Sequence, residues 1–274
     1  MRSLQPRAVI FSDVGPDVRW VGNERGFAGE TCWGMISPAG YEPGLGAPPE
    51  ADLTQGREDG TAWIPAECDV SIRPGWYYHP EQDGEVKSLE KLLEIWHASV
   101  GRGANLLLNL PVDRRGLVHE RDVARLREWR AALDALYGVD LARGARASAT
   151  NVRGGAVRFA ASQAIDGDPV SYWATDDGSE AAALELEFDR AVRCDRVRLE
   201  EPLELGQRVR AFEIEARGGV DEAWETIARG TTIGARRIVT FPARDVRFLR
   251  VSVTSARACP ALSAVKLFLD PAAR

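Results

Sequence analysis

The chain has 274 residues, 45% of them hydrophobic and 28% charged, which is enough for two modest domains with separate cores. A formal charge of -6 at pH 7 argues against nucleic acid or an anionic membrane surface as partner, because both select a basic footprint. No apolar run approaches the roughly 18 residues of a membrane span, and residues 1–7 (MRSLQPR) lack the apolar core of a signal peptide. Cys32, Cys68, Cys194 and Cys259 show no metal-type spacing and are too few for a disulfide framework. They read as thiols, with a Cys194–Cys259 bridge as the alternative in an exported protein.

Val9, Ile10 and Phe11 predict a buried strand, ended by the turn chemistry of Ser12, Asp13, Gly15 and Pro16. The loop that follows places Asn23, Glu24 and Glu30 between Trp20 and Trp33, among three glycines. Aromatic faces beside carboxyl groups suit a sugar: the rings stack on a pyranose, and a partly apolar pocket favours the acid form that can protonate a leaving oxygen. Taken alone, a glutamate in such a loop reads as a solvated charge. Residues 37–60 are rich in Pro and Gly and predict a long surface loop. Residues 63–72 predict a strand running into Arg73-Pro74-Gly75-Trp76-Tyr77-Tyr78-His79-Pro80, whose aromatics either wall a pocket or plug the strand end. An amphipathic helix is predicted over 86–100, a buried parallel strand over 104–110 and a second helix over 119–137, closed by Gly138. Strands alternating with helices follow the grammar of a (β/α) barrel, with functional groups on loops at the strands' C-terminal ends. About three strands precede Gly138, where a closed barrel needs about eight.

The second half changes grammar. Short alternating runs at 184–188, 196–199, 211–216, 224–228, 237–241, 248–253 and 264–269 predict strands of an all-β sandwich. The predicted class is multidomain α/β plus all-β. Residues 1–138 would form the C-terminal part of a barrel, 139–146 a linker and 147–274 the sandwich.

Two resemblances sharpen this. FSDVGPDVRWVGNERGFAGETCW resembles the segment that carries the general acid/base in α-L-fucosidases of glycoside hydrolase family 29, particularly the branch acting on 1,3/1,4-linked fucose. The likeness implies that Glu24 is the acid/base. Arg19-Trp20 and Gly29-Glu30-Thr31 fit the same pattern. The segment after residue 72 is similar to the family's fucose-pocket wall, which implies substrate contacts from Trp76 and, beside it, from Arg73, His79 and Trp20. Residues 99–109 match the family's last barrel strand. The family's nucleophile is an aspartate on an earlier strand that is not found here, and Asp13 does not stand at its place. The resemblance implies retaining hydrolysis of terminal α-L-fucose from a fucosylated oligosaccharide or glycoconjugate, with no cofactor required. The alternatives are a non-catalytic carbohydrate-binding or structural remnant, or one half of a split enzyme completed by a second polypeptide. Family members are often secreted or periplasmic.

The second half resembles the discoidin, or coagulation-factor type C, jelly-roll β-sandwich through Ala147-Ser148-Ala149-Thr150, Gln163-Ala164-Ile165-Asp166-Gly167-Asp168 and Tyr172-Trp173-Ala174-Thr175. That likeness implies a structural calcium at Asp166, Asp168 and Ser171, although alanine stands where a late carboxylate is expected, near residues 263–265. A tight turn capped by Asp166 is the reading without metal.

Overall fold

Four short parallel strands form the sheet of the first unit, Met1–Arg130, in the computed structural model, which describes residues 2–39, 41–42 and 46–273. The order is β1 (Phe11–Ser12), β2 (Val18–Trp20), β5 (Ala66–Ser71) and β6 (Asn105–Asn109). Alternation decides the faces. Cys68 and Val70 are buried on one side of β5, while Glu67 and Asp69 stand on the other. Register pairs Glu67, Asp69 and Ser71 with Asn105, Leu107 and Asn109 on β6, so one face of the sheet is largely polar. The opposite face is covered by helices α2 (Leu89–Ala98) and α3 (Glu120–Tyr137): Leu92, Ile95, Leu126 and Trp129 pack with Val70, Ile72, Leu106 and Leu108. Ser88 caps α2 by accepting from the Lys91 amide at 3.2 Å.

Several expectations change here. Val9 is 73% exposed and the strand begins only at Phe11, because β1 is an edge strand paired with β2 alone. Residues 18–20, expected inside a loop, form β2. The loop bearing Glu24 therefore leaves from Trp20 rather than from Phe11. The stretch 37–60 falls partly outside the described residues. Its described part includes helix α1 (Glu50–Gln55), and it is framed by a small hairpin of β3 (Met35–Ile36) and β4 (Ala62–Trp63). Leu107 on β6 is 41% exposed, so this strand is buried on one face only.

The second unit, Ala131–Arg274, is built on a sheet ordered β11 (Glu225–Gly230), β10 (Val209–Arg217), β12 (Arg237–Ala256), β9 (Ala182–Glu200) and β14 (Ala264–Phe268). Strand β7 (Arg146–Ala149) adds to β9, and β8 (Trp173–Ala174) pairs with β13 (Ala261–Leu262). The two pairs of short strands expected at 184–199 and 237–253 are each one long strand. Register shifts between Thr240 and Arg244, and between Val246 and Phe248, mark where the ladder of β9 and β12 is irregular. Trp173 is fully buried in this core, with its indole donating to Asn151 O at 2.9 Å. All four cysteines are buried and unbridged. Among the described residues no helix is long and apolar enough to cross a membrane.

One carboxylate ties the turns of this unit together. Glu201, 4% exposed, accepts backbone amides of Arg208 at 2.7 Å, Val209 at 3.0 Å and Gly234 at 2.7 Å. Burial pushes its carboxyl up to about 7 from the ordinary 4.5, outweighing the three amides that pull the other way. A folded-state value above the unfolded one means that native protein binds a proton which the unfolded chain releases. The resulting stability is complete below 4.5 and is lost as pH rises through about 7. Urea unfolding should show this loss between about pH 5 and 8. In Glu201→Gln the pH slope should flatten, with stability at acid pH lower by about 1–3 kcal/mol because an amide NH₂ then faces a buried N–H.

Candidate active site

The site grows from β2. Its central residue, Arg19, has no exposed surface, and its guanidinium donates to three backbone carbonyls: Leu53 O at 2.8 Å, Ile64 O at 3.0 Å and Trp33 O at 3.1 Å. These belong to α1, to the segment entering β5 and to the end of the loop that carries Glu24. Burial disfavours the charge and lowers the guanidinium pKa, which the Cys32, Cys68 and Asp52 side chains oppose.

From Trp20 the chain enters the Glu24 loop. Val21 is fully buried, and Gly26 has φ +78 with a Cβ position only 2.9 Å from Ile95 Cγ2 and 3.0 Å from Val70 Cγ1, so glycine alone fits there. Asn23 folds the tip: its amide donates to Phe27 O at 3.0 Å and its carbonyl accepts the Arg25 N–H at 3.1 Å. The far side is pinned by the Ala28 amide on Ala98 O at 2.9 Å and by Arg102 donating to Ala28 O at 2.6 Å. With both flanks fixed, the exposed Glu24 is presented at the tip.

The next strand brings the partner. After β5, Ser71 Oγ donates to Gly75 O at 2.7 Å, while the Asn109 amide from β6 donates to Trp76 O at 2.9 Å and to Ser71 Oγ at 3.1 Å. This holds Trp76 so that its indole Nε1 donates to Glu24 Oε2 at 2.8 Å. Trp20 makes a parallel bond, its indole donating to Asp69 Oδ1 at 2.7 Å. Two indole–carboxylate pairs thus stand where adjacent parallel strands end. Aromatic surface, donors and carboxyl oxygens converge, as sugar recognition and proton transfer to a glycosidic oxygen require.

The other residues singled out from the sequence lie differently. Arg73 is fully buried, bonded through Nε to Asp122 (2.9 Å) and through Nη1 to Asp83 (2.8 Å), with its guanidinium 5.0 Å from the Tyr78 ring. It acts as an interior fastener for the loop behind Trp76. His79 is exposed and lies 3.7 Å from Glu81. The sequence pattern does not single out Asp69 or Asn109. The available signal was a polar residue alternating with Cys68 and Val70 on a strand.

In the second unit Asp166, Asp168 and Ser171 close on themselves. Ser171 Oγ donates to Asp166 at 2.8 Å, Asp166 Oδ1 accepts the Asp168 amide at 2.8 Å, and Asp168 Oδ1 accepts the Val170 amide at 3.0 Å. The Arg143 guanidinium lies against Gly167 within this turn. These bonds close the turn on itself, with a cation beside it. Among the described residues no group of three or more His, Cys, Asp or Glu is disposed to hold a metal.

The architecture defines the class: a parallel sheet with a carboxyl-bearing loop at its C-terminal edge, in a chain that also carries a β-sandwich. Residues 145–265 match the F5/8 type C domain. A putative α-L-fucosidase 1 of Oryza sativa subsp. japonica is 39% identical over 98% of this chain and 52% of its own length. Among solved structures, a putative α-L-fucosidase from Bacteroides thetaiotaomicron matches with TM-score 0.91 at 34% identity, covering 98% of this chain and 59% of that one. A Ruminococcus gnavus fucosidase of glycoside hydrolase family 29, solved in complex with fucose, matches with TM-score 0.86 at 28% identity over 96% and 52%. Nearly the whole of this chain is therefore similar to α-L-fucosidases, residues 145–265 match an F5/8 type C domain, and the chain spans about half the length of the curated relatives it matches.

Arg19→Lys should expose the dependence of the site on its base. A single ammonium cannot reach three carbonyls in the fan a guanidinium supplies, and each buried carbonyl left unpaired costs about 1–3 kcal/mol. A fall in stability of about 2–4 kcal/mol in chemical unfolding is the expected outcome.

Proposed function

We propose that this chain is the acid/base-bearing portion of an α-L-fucosidase-type glycoside hydrolase that removes terminal α-L-fucose from an oligosaccharide or glycoconjugate with retention. The observation that carries the reading is the 2.8 Å bond from the Trp76 indole to Glu24 at the C-terminal edge of the parallel sheet. The likeness to fucosidases along the chain gives the sugar class. We read the sheet as part of a (β/α) barrel whose other strands, together with the attacking carboxylate, come from the portion of the relatives that this chain does not span.

The reaction needs two carboxyl groups about 5–5.5 Å apart across the sugar. In the first step one carboxylate attacks C1 while Glu24 gives its proton to the departing glycosidic oxygen, so the aglycone leaves neutral and a fucosyl ester forms. In the second, ionised Glu24 takes a proton from water as the water oxygen attacks C1, expelling the carboxylate and regenerating the acid. Trp76 orients the Glu24 carboxyl through one oxygen and leaves the other for the proton. Trp20 and Trp76 supply apolar surface for the sugar ring and its methyl group.

The test is aryl α-L-fucoside hydrolysis by this chain together with the segment that supplies the attacking carboxylate. Glu24→Gln should lower turnover about 10²–10⁴-fold, the usual size of general acid–base assistance. With Glu24→Ala, azide should restore turnover and yield α-L-fucosyl azide. Equal rates for wild type and Glu24→Gln would remove Glu24 from the role.

A further inference from the structure

Trp76 can orient Glu24 only if the turn that carries it is itself held, and much of that holding comes from a residue outside the turn. Past Ser71 the chain leaves the β5 ladder, so its carbonyls need partners from elsewhere. The Lys87 amide donates to Ile72 O at 2.9 Å, and the Lys87 ammonium donates to Ser71 O at 2.7 Å and to Arg73 O at 3.3 Å. Ser71 Oγ takes up Gly75 O, and the Asn109 amide takes up Trp76 O. The carbonyls of Ser71, Ile72, Arg73, Gly75 and Trp76 are thereby all bonded, the first three by Lys87.

The fold brings this lysine to the turn by hydrophobic packing. Lys87 stands one residue ahead of the Ser88 cap of α2, and α2 packs Leu92 and Ile95 with Val70 and Ile72 of the segment that Lys87 bonds. Helix and strand end are therefore anchored to each other, and the half-buried side chain closes the gap between them. Burial and the like charge of Lys91 lower its ammonium pKa, which the charge-assisted bonds to two carbonyls oppose.

We propose that Lys87 is a positioning residue for the candidate acid/base: by bonding Ser71 O, Ile72 O and Arg73 O it fixes the start of the turn, so that the Trp76 indole meets Glu24 Oε2. This rests on the reading of Glu24 as acid/base. It adds to that reading a group that acts on the carboxyl through the backbone and one indole rather than by direct contact.

Indole ¹⁵N–H resonances test this on the chain itself. The Trp76 resonance should shift as Glu24 ionises and should cease to do so in Glu24→Gln, which assigns it. In Lys87→Met, which keeps the stem and removes the donors, that shift should be largely lost. The Trp20 resonance, whose partner Asp69 lies on β5 ahead of the turn, should keep its wild-type behaviour. Lys87→Arg, which keeps a cation and its donors, should retain the Trp76 shift. A Trp76 shift in Lys87→Met equal to that of wild type overturns the proposal, as does loss at Trp20 and Trp76 together, which marks general loosening of the unit. Should Lys87→Met not fold, Lys87→Gln, whose amide stops short of both carbonyls, decides by the same measurement. With the segment that supplies the attacking carboxylate, Lys87→Met should lower kcat for an aryl α-L-fucoside about 10–100-fold, the scale of a misplaced reacting group, with KM changed less than about twofold. Hydrolysis that is absent in wild type counts against the fucosidase reading alone, whereas a Trp76 shift indifferent to Lys87, with Glu24-dependent hydrolysis, counts against Lys87 alone.

Discussion

A single buried guanidinium gathers the first unit around its site. Arg19 replaces the water that three inward-facing carbonyls would otherwise need, and those carbonyls belong to segments distant in sequence, at Trp33, Leu53 and Ile64. The charge is costly to bury and carries no bidentate carboxylate of its own, so the arrangement holds only while all three acceptors stay in place. The mutual dependence has a structural result. The Glu24 loop cannot shift at its Trp33 end without unpairing the guanidinium, and its Val21 end is fixed by β2. Rigidity at the base is what lets an exposed tip hold a defined carboxyl position.

The two indole–carboxylate pairs divide the work. Trp76 belongs to the loop after β5 and orients Glu24, while Trp20 belongs to β2 and is oriented by Asp69. Each ring is thereby tied to the neighbouring strand's chemistry. Behind them Asn109 and Ser71 pin the backbone at Gly75 and Trp76, and Arg73 with Asp122 and Asp83 fastens the same loop from inside. The polar side chains on one face of the sheet form a connected support for the Trp76–Glu24 and Trp20–Asp69 pairs.

Much of this could be read from residue patterns, and the failures share a cause. Helices α2 and α3 were visible because Leu89, Leu92, Leu93 and Trp96, and later Val123, Leu126 and Leu133, recur at helical spacing. Strands of the sandwich were visible through alternation, but the irregular stretches of the ladder between β9 and β12 broke each pattern into two. Strand β2 was missed because it is only three residues long and its middle residue is a buried arginine, which no apolar pattern reveals. Arg73 looked like a ligand contact beside Trp76, yet its partner Asp122 is 49 residues away and its pairing is invisible locally. Glu24 and Trp76 stand out in the sequence because they flank glycines and aromatics in segments with a family likeness, and the structure brings the two side chains together. Asp69 was not, since its meaning comes from strand register.

The thiols give the molecule native clocks for its own opening. Cys32 and Cys68 lie in the core of the first unit, Cys194 and Cys259 in the second, all shielded and none bridged. Burial drives Cys68 upward and pushes Cys194 up to about 12, so neither is a competent nucleophile while its surroundings remain closed. Alkylation by a soluble reagent can therefore proceed at these two sites only as fast as each core exposes its sulfur.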